Sequence, residues 1–364
     1  MAKVGKDKPV LVITGSSGML GAALTEEFTR DYCVIGLDIR KPDQPVEDSE
    51  FLECDLTDDE SVGRALDSIR GKHGEEIASV VHLAAYYDFS GGASRMYRQL
   101  TVEGTRRLIR GLQDFDVEQF VYSSSLLVMK PVDEIRDRDE LTEEAPTRAE
   151  WEYPESKLEA EQVLKEERGA IPVAVLRIAG VYTDECRSLP IGDHIRRIYE
   201  KELESFLFPG DKDHGQPFIH ISDVVECFRK TVDKRNELNS WELFLISEPD
   251  TMSFDELQET LGELIHDREW PTLRIPKPVA KAGAWVKDKL PWEDPFIKPW
   301  MVDMADDDYT VEIERARRRL DWDPSRRLRD SLVQIIDFLK RDPEEFYRIN
   351  NLELPESNKE KNSS

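Results

Sequence analysis

The sequence predicts an α/β protein: a doubly wound parallel sheet followed by a smaller C-terminal α/β lobe. Three observations carry that prediction. Short apolar runs alternate with amphipathic stretches from Val10 onward, a glycine loop, TGSSGMLG, follows the first run directly, and the alternation weakens as prolines accumulate after Val181. Apolar runs of strand length suit a sheet covered on both faces, and the amphipathic stretches suit the helices that cover it.

In chain order, strands are expected at Val10–Thr14, Cys33–Leu37, Phe51–Cys54, Ser79–Leu83, Gln119–Ser123 and Val173–Ile178. Helices are expected between them at Leu20–Thr29, Ser61–Ile69, Met96–Leu112 and Glu155–Glu166. Beyond Val181, Phe218–Ile221 and Leu243–Ile246 read as strands, and Asp223–Val232, Phe254–Ile265, Val311–Leu320 and Leu328–Leu339 as helices. The resulting division is an N-terminal tail at 1–8, a Rossmann-type nucleotide-binding domain at 9–182, and a mainly substrate-binding lobe at 183–354. Some segments of the lobe are expected to return to the main domain, and the polar tail 355–364 to be disordered. Segment 275–300 carries Trp285, Trp292 and Trp300 among prolines and lysines. It suits a lid or packing arm of the smaller lobe, with contact to lipid or cover over a hydrophobic substrate as the other readings.

Composition narrows the partners. With 50 Lys and Arg against 76 Asp and Glu, the net charge of -26 opposes a nucleic-acid or anionic-membrane surface. Such a surface suits a high-salt cytoplasm as well as an ordinary solvated acidic face. The four cysteines and six histidines are scattered without metal-ligand spacing, so neither a disulfide framework nor a metal is expected. No apolar run reaches the length of a membrane span, and MAKVGKDKPVLVIT lacks the apolar core of a signal peptide. The expected location is the cytoplasm.

A turn that receives a pyrophosphate needs glycine where backbone approaches phosphate, and a helix N-terminus facing the anion. Gly15, Gly18 and Gly21 meet that need between the first strand and first helix, with Ser17 in the loop and Met19 and Leu20 opening the helix. Asp38 ends the second strand about 20 residues on, where a carboxylate accepts from the adenosine ribose hydroxyls. That favours NAD; Arg40 and Lys41 beside it keep NADP as the second choice. Asp55, Leu56, Leu83, Ala84 and Ala85 stand at the ends of later strands, where ligands of such sheets bind.

Tyr153 and Lys157 lie four apart in WEYPESKLEAEQVL, hence on one helix face. A phenol of pKa about 10 is a poor base at neutral pH, and a neighbouring ammonium favours its phenolate. Tyr153 then serves as general acid or base, while the hydroxyl of Ser125, in FVYSSS, holds the substrate oxygen.

Together these motifs resemble the extended short-chain dehydrogenase/reductase family, also called the NAD-dependent epimerase/dehydratase family, over about residues 9 to 345. TGSSGMLG resembles its cofactor loop, CDLTD its adenine-side acidic motif, HLAA its fourth-strand motif, FVYSSS its serine strand and YPESK its Tyr-Lys motif, in the family's order. The resemblance implies Tyr153 as acid/base, Lys157 as pKa modifier and nicotinamide-ribose ligand, and Ser125 as substrate-oxygen donor, with Ser124 as the competing serine. It places Ser123, Gly180 and Val181 against the cofactor, and implies a homodimer built on Met96–Leu112 and Glu155–Glu166. Thr101 stands where many members carry asparagine, GVYTDE where an N-V-Y-G-like ending is common, and Met129 where an aromatic is common. These departures lean toward the hydroxysteroid-dehydrogenase and dihydroflavonol-reductase side. The expected activity is NAD-dependent interconversion of a secondary alcohol and ketone on a small, fairly apolar substrate. A nucleotide-sugar epimerase, dehydratase or decarboxylase using Arg187, Arg196 and Arg197 on the diphosphate is the alternative, and a non-catalytic NAD sensor the third reading.

Overall fold

Val10–Thr14 (β1) is buried along its whole length, as a strand covered on both faces must be. In the computed structural model, which describes residues 8–88, 94–135, 139–288, 302 and 304–354, it lies within a seven-stranded sheet. The other strands are β2 (Cys33–Asp38), β3 (Glu50–Glu53), β4 (Ser79–His82), β5 (Phe120–Ser125), β6 (Val173–Ile178) and, after two short strands, β9 (Trp241–Ile246). Their order is β9-β6-β5-β4-β1-β2-β3 and every pair is parallel. Winding reverses between β1 and β4, which opens a crevice at the carboxyl ends of those strands. The two short strands, β7 (Gly180–Tyr182) and β8 (Phe218–His220), pair outside the main sheet at the border of the second lobe.

Helices cover both faces. On one, α1 (Met19–Phe28) contributes Leu24 and Phe28 to a core shared with Val224 and Phe228 of the helix Ile221–Asp233. On the other, α2 (Asp59–His73), α3 (Glu103–Gly111) and α4 (Glu152–Glu167) bury Val62, Ile69, Leu108 and Leu164 against the sheet. A third core holds the smaller lobe, where α5 (Leu189–Tyr199) packs Ile191 and Ile195 against Leu261 and Leu332 of two later helices. Those helices are Phe254–His266, opened by a Ser253–Glu256 capping box, and Leu328–Arg341.

The single helix expected over Met96–Leu112 is a wider π-turn over Tyr97–Val102 that continues as α3. The hydroxyl of Thr105 donates to the carbonyl of Thr101 at 2.6 Å, and the Thr101 hydroxyl accepts from Tyr86 N at 3.0 Å, so the widened turn aims Thr101 at the loop after β4. Within the tryptophan-bearing segment, Lys277–Asp288 is helical with Trp285 exposed; Trp292, Trp300 and the tail 355–364 lie outside the described residues. All four cysteines are buried and free. Among the described residues no helix is long and apolar enough to cross a membrane, and no cluster of side chains suits a metal ion.

Candidate active site

Gly15 adopts φ +69°, a left-handed conformation that disfavours other residues, and its N–H donates to Leu37 O at 2.9 Å, tying the loop to β2. Gly21 allows the close approach that completes the loop, since a Cβ there would sit 2.1 Å from Gly15 O. The glycine loop and the N-terminal end of α1 therefore line the crevice with their backbone closely packed, a cradle that fits a pyrophosphate. Asp38 closes the outer edge: its Oδ2 accepts from Ser17 N at 3.0 Å and its Oδ1 from Arg40 N at 3.2 Å.

The catalytic candidates converge on the same crevice from β5 and the first two turns of α4. Lys157 is buried, and its Nζ donates to Ser123 O at 2.7 Å while lying 5.9 Å from the Tyr153 ring centroid. The two serines part company. Ser124 donates to Glu161 Oε1 at 2.5 Å in the interior, whereas Ser125 shares a side-chain hydrogen bond with Tyr153. Alternation along β5 turns Ser123 and Ser125 to one face and Ser124 to the other.

Burial sets the proton affinities. It pushes the Tyr153 phenol up to about 12, opposed by the Ser125 hydrogen bond, and the Lys157 ammonium down to about 7, opposed by Glu161. The phenolate that Lys157 was expected to favour is therefore disfavoured by the protein's own low-dielectric surroundings. A cationic ring placed against the phenol would work in the opposite sense.

A cavity of about 980 Å³ joins these parts. Gly15, Gly18, Met19, Leu20 and Gly21 line it at one end, with Leu83, Ala85, Ser123, Ser125, Tyr153, Lys157, Gly180 and Val181 along it. Ser17, Asp38 and Ala84 do not line it: Ser17 N donates to Asp38 Oδ2 at 3.0 Å beside the loop, and Ala84 donates its N–H to Thr14 Oγ1 at 3.3 Å. Asp55 and Leu56 are not on the wall: Asp55 Oδ1 accepts from Thr57 N and Oγ1, and Leu56 packs under Gly104. Tyr87 and Trp151, not singled out in the sequence, pack on Tyr153 with ring centroids 5.4 and 5.5 Å away. The lining is mostly apolar, with Leu127, Leu189, Phe208, Met252, Phe254 and Val302, and it also carries Arg187, His194, Arg197, His214 and Asp307. Of the three arginines considered for a diphosphate, Arg196 is bound to Asp193, Glu200 and Glu202, and Arg197 to Asp193 at 2.9 Å.

A family model described as the NAD dependent epimerase/dehydratase family matches residues 11–246. Among curated proteins, short-chain dehydrogenase/reductase family 42E member 1 of Xenopus laevis is 28% identical over 323 residues, 82% of this chain and 78% of that one. The decarboxylating sterol-4-alpha-carboxylate 3-dehydrogenase of Candida albicans is 23% identical over 363 residues, 91% of this chain and 98% of that one. Among solved structures, the UDP-glucose 4-epimerase of Thermotoga maritima with UDP-glucose has a TM-score of 0.69 at 18% identity, covering 92% of this chain and 100% of that one. At that identity the likeness is one of fold.

Proposed function

This chain belongs to the NAD dependent epimerase/dehydratase family and is an NAD-dependent enzyme of the extended short-chain type; from that premise we propose that it interconverts a secondary alcohol and a ketone on an apolar, sterol-sized small molecule. The observation that carries this reading is the cavity, whose mostly apolar lining joins the glycine loop and Tyr153 to Leu189, Phe208, Met252 and Phe254 of the smaller lobe. The sterol dehydrogenase among the relatives supports it.

Bound NAD supplies the hydride acceptor. The chain's residues hold and orient: the Gly15–Gly21 loop faces the pyrophosphate, Asp38 the adenosine ribose, and Lys157 the nicotinamide ribose. Tyr153 takes the hydroxyl proton, Ser125 steadies the oxygen as charge develops on it, and the rings of Tyr87 and Trp151 pack against that of Tyr153. A homodimer through α3 and α4 belongs to the same reading and is checked by light scattering.

The nucleotide-sugar reading keeps support from Arg187 and Arg197, which both line the cavity. The ion pairs on Arg196 and Arg197 weigh against it, because a diphosphate would have to compete with Asp193. Incubation of the purified protein with NAD and a panel of steroid and sterol alcohols separates the readings. NADH formation on apolar alcohols is expected. No NADH on any of them, with tightly retained NAD and conversion of a UDP-sugar, would replace this proposal; NAD binding without any turnover would favour a sensor.

A further inference from the structure

Asp307 lines the same cavity but takes no part in the hydride chemistry described above. Only 6% of it is exposed. Its Oδ2 lies 3.6 Å from Arg148 Nη2 and 3.5 Å from the Tyr309 hydroxyl. Arg148 gives Asp307 little, because the same guanidinium holds Glu134 through Nη1 and Glu150 through Nη2 at 3.1 Å. One cation thus serves three carboxylates, and Asp307 has the longest contact.

The surroundings add negative charge from every side. Asp133 and Glu134, the latter also near Lys130, come from the segment after β5, and Glu150 precedes Trp151. Along its own segment Asp306 is paired with Lys277, Asp308 caps Thr310, and His214 bonds the carbonyl of Asp306. Burial first, then Glu150, Asp133 and Glu134, push the Asp307 carboxyl up to about 7 against the pull of Arg148. Arg148 and Glu150 lie five and three residues before Tyr153 in the chain, and Asp307 and Tyr153 line one cavity.

We propose that Asp307 is a substrate-recognition residue whose protonated carboxyl donates a hydrogen bond to a second oxygen, a carbonyl or hydroxyl, on an otherwise apolar substrate. The proposal rests on the apolar-alcohol reading of the cavity and narrows it to molecules with two separated oxygens. One is held by Ser125 and Tyr153, the other by Asp307. An anionic group is disfavoured at the second position, because Asp307 ionises as pH rises through about 7 and would repel it.

The test uses the full-length protein with NAD and two probes: a rigid steroid alcohol with a ring carbonyl remote from its hydroxyl, and the same alcohol without the carbonyl. Binding is followed by tryptophan fluorescence from about pH 5.5 to about pH 8.5, alongside infrared difference spectra of wild type against Asp307→Asn. Wild type is expected to prefer the carbonyl probe and to lose about tenfold of that preference per pH unit above neutrality, read as the ratio of the two probes' affinities so that titration of Lys157 and His214, which acts on both probes, cancels. Asp307→Asn, whose amide still donates, keeps the preference but loses the pH dependence; Asp307→Leu loses the preference. The infrared difference shows a protonated-carboxyl band that disappears near neutral pH. An ionised Asp307 at about pH 6, a pH dependence that survives in Asp307→Asn, or a carbonyl preference that survives in Asp307→Leu overturns the proposal. If wild type oxidises steroid alcohols yet behaves in one of those ways, only the role of Asp307 fails. If wild type binds neither probe, the apolar-alcohol reading fails and takes the proposal with it.

Discussion

Glu161 accepts both Nε and Nη2 of Arg177, at 3.0 and 2.6 Å, in the interior between α4 and the sheet. The pair lies one helical turn beyond Lys157, and Glu161 Oε1 also receives the Ser124 hydroxyl. Removing one partner of a buried ion pair leaves an uncompensated charge, at a cost of about 3–5 kcal/mol. Glu161→Gln is therefore expected to lower the melting temperature markedly. Because Glu161 is the group that opposes the burial-driven fall of Lys157, the variant's Lys157 should lose its proton at lower pH. The high-pH limb of the pH–rate profile then moves to lower pH. An unmoved limb in a folded variant would show that Glu161 does not act through Lys157.

Tyr153 shares a hydrogen bond with Ser125 and packs against the rings of Tyr87 and Trp151. Tyr153→Phe keeps the ring packing and deletes only the proton-transfer group. Folding and NAD binding should persist, while kcat falls about 10²–10⁴-fold. Retained turnover would remove Tyr153 from the chemistry.

Gly21 sits where a Cβ would press to 2.1 Å of Gly15 O and 2.7 Å of Ser16 Cα, both backbone atoms without a rotamer to yield. Gly21→Ala must push α1 off the loop. A loss of about 1–3 kcal/mol in stability is expected from the overpacking, and a larger proportional loss in NAD affinity because the amide cradle opens. Isothermal titration with NAD, read beside a thermal melt, checks both. Unchanged NAD affinity would show that the cradle is not where the pyrophosphate binds.

The architecture was legible because a parallel sheet buried on both faces leaves continuous apolar runs, and because the turn after β1 must carry glycine wherever backbone approaches backbone. Asp38 was legible for a similar reason: it follows the loop at the distance fixed by one helix and one strand. The different settings of Ser124 and Ser125 were not legible, because Glu161, a residue from another element, reaches one serine and not the other. Tyr87, Trp151 and Asp307 gave no local signal. Tyr87 and Asp307 reach Tyr153 or the cavity from loops tens of residues away, and Trp151, two residues before Tyr153, lies inside the motif but has no chemistry that singles it out. The π-turn at Tyr97–Val102 was hidden because helical periodicity runs through it with little change.

His82, fully buried at the end of β4, is held between the hydroxyls of Thr14 at 2.6 Å and Thr105 at 2.9 Å. Burial, helped by the Lys157 charge, pushes it down to about 3. A histidine whose folded value lies below its unfolded value of about 6.5 binds its proton mainly in the unfolded state. Its contribution costs nothing above pH 6.5 and destabilises the fold as pH falls from there toward 3, by at most about 1.4 kcal/mol per pH unit. His82→Gln removes the titration. Urea unfolding of both proteins between about pH 4 and pH 7 should show the wild type losing stability faster on acidification. Parallel curves would mean that His82 takes up its proton in the folded protein.

Asp38 presents a fixed carboxylate at the outer edge of the loop, held by the N–H groups of Ser17 and Arg40. A ribose with free hydroxyls can donate to it; a 2′-phosphate meets like charge. Asp38→Ala removes both effects and leaves Arg40 and Lys41 as the nearest cations, so NAD affinity should fall while NADP affinity rises. The ratio of kcat/KM for the two cofactors is expected to shift toward NADP by about tenfold or more, equivalent to about 1.4 kcal/mol. Asp38→Asn should behave differently: it keeps an acceptor for the ribose but loses the charge, so NADP improves with a smaller loss for NAD. If both variants leave the cofactor ratio where the wild type has it, Asp38 does not face the adenosine ribose, and the choice of NAD is made elsewhere along the crevice.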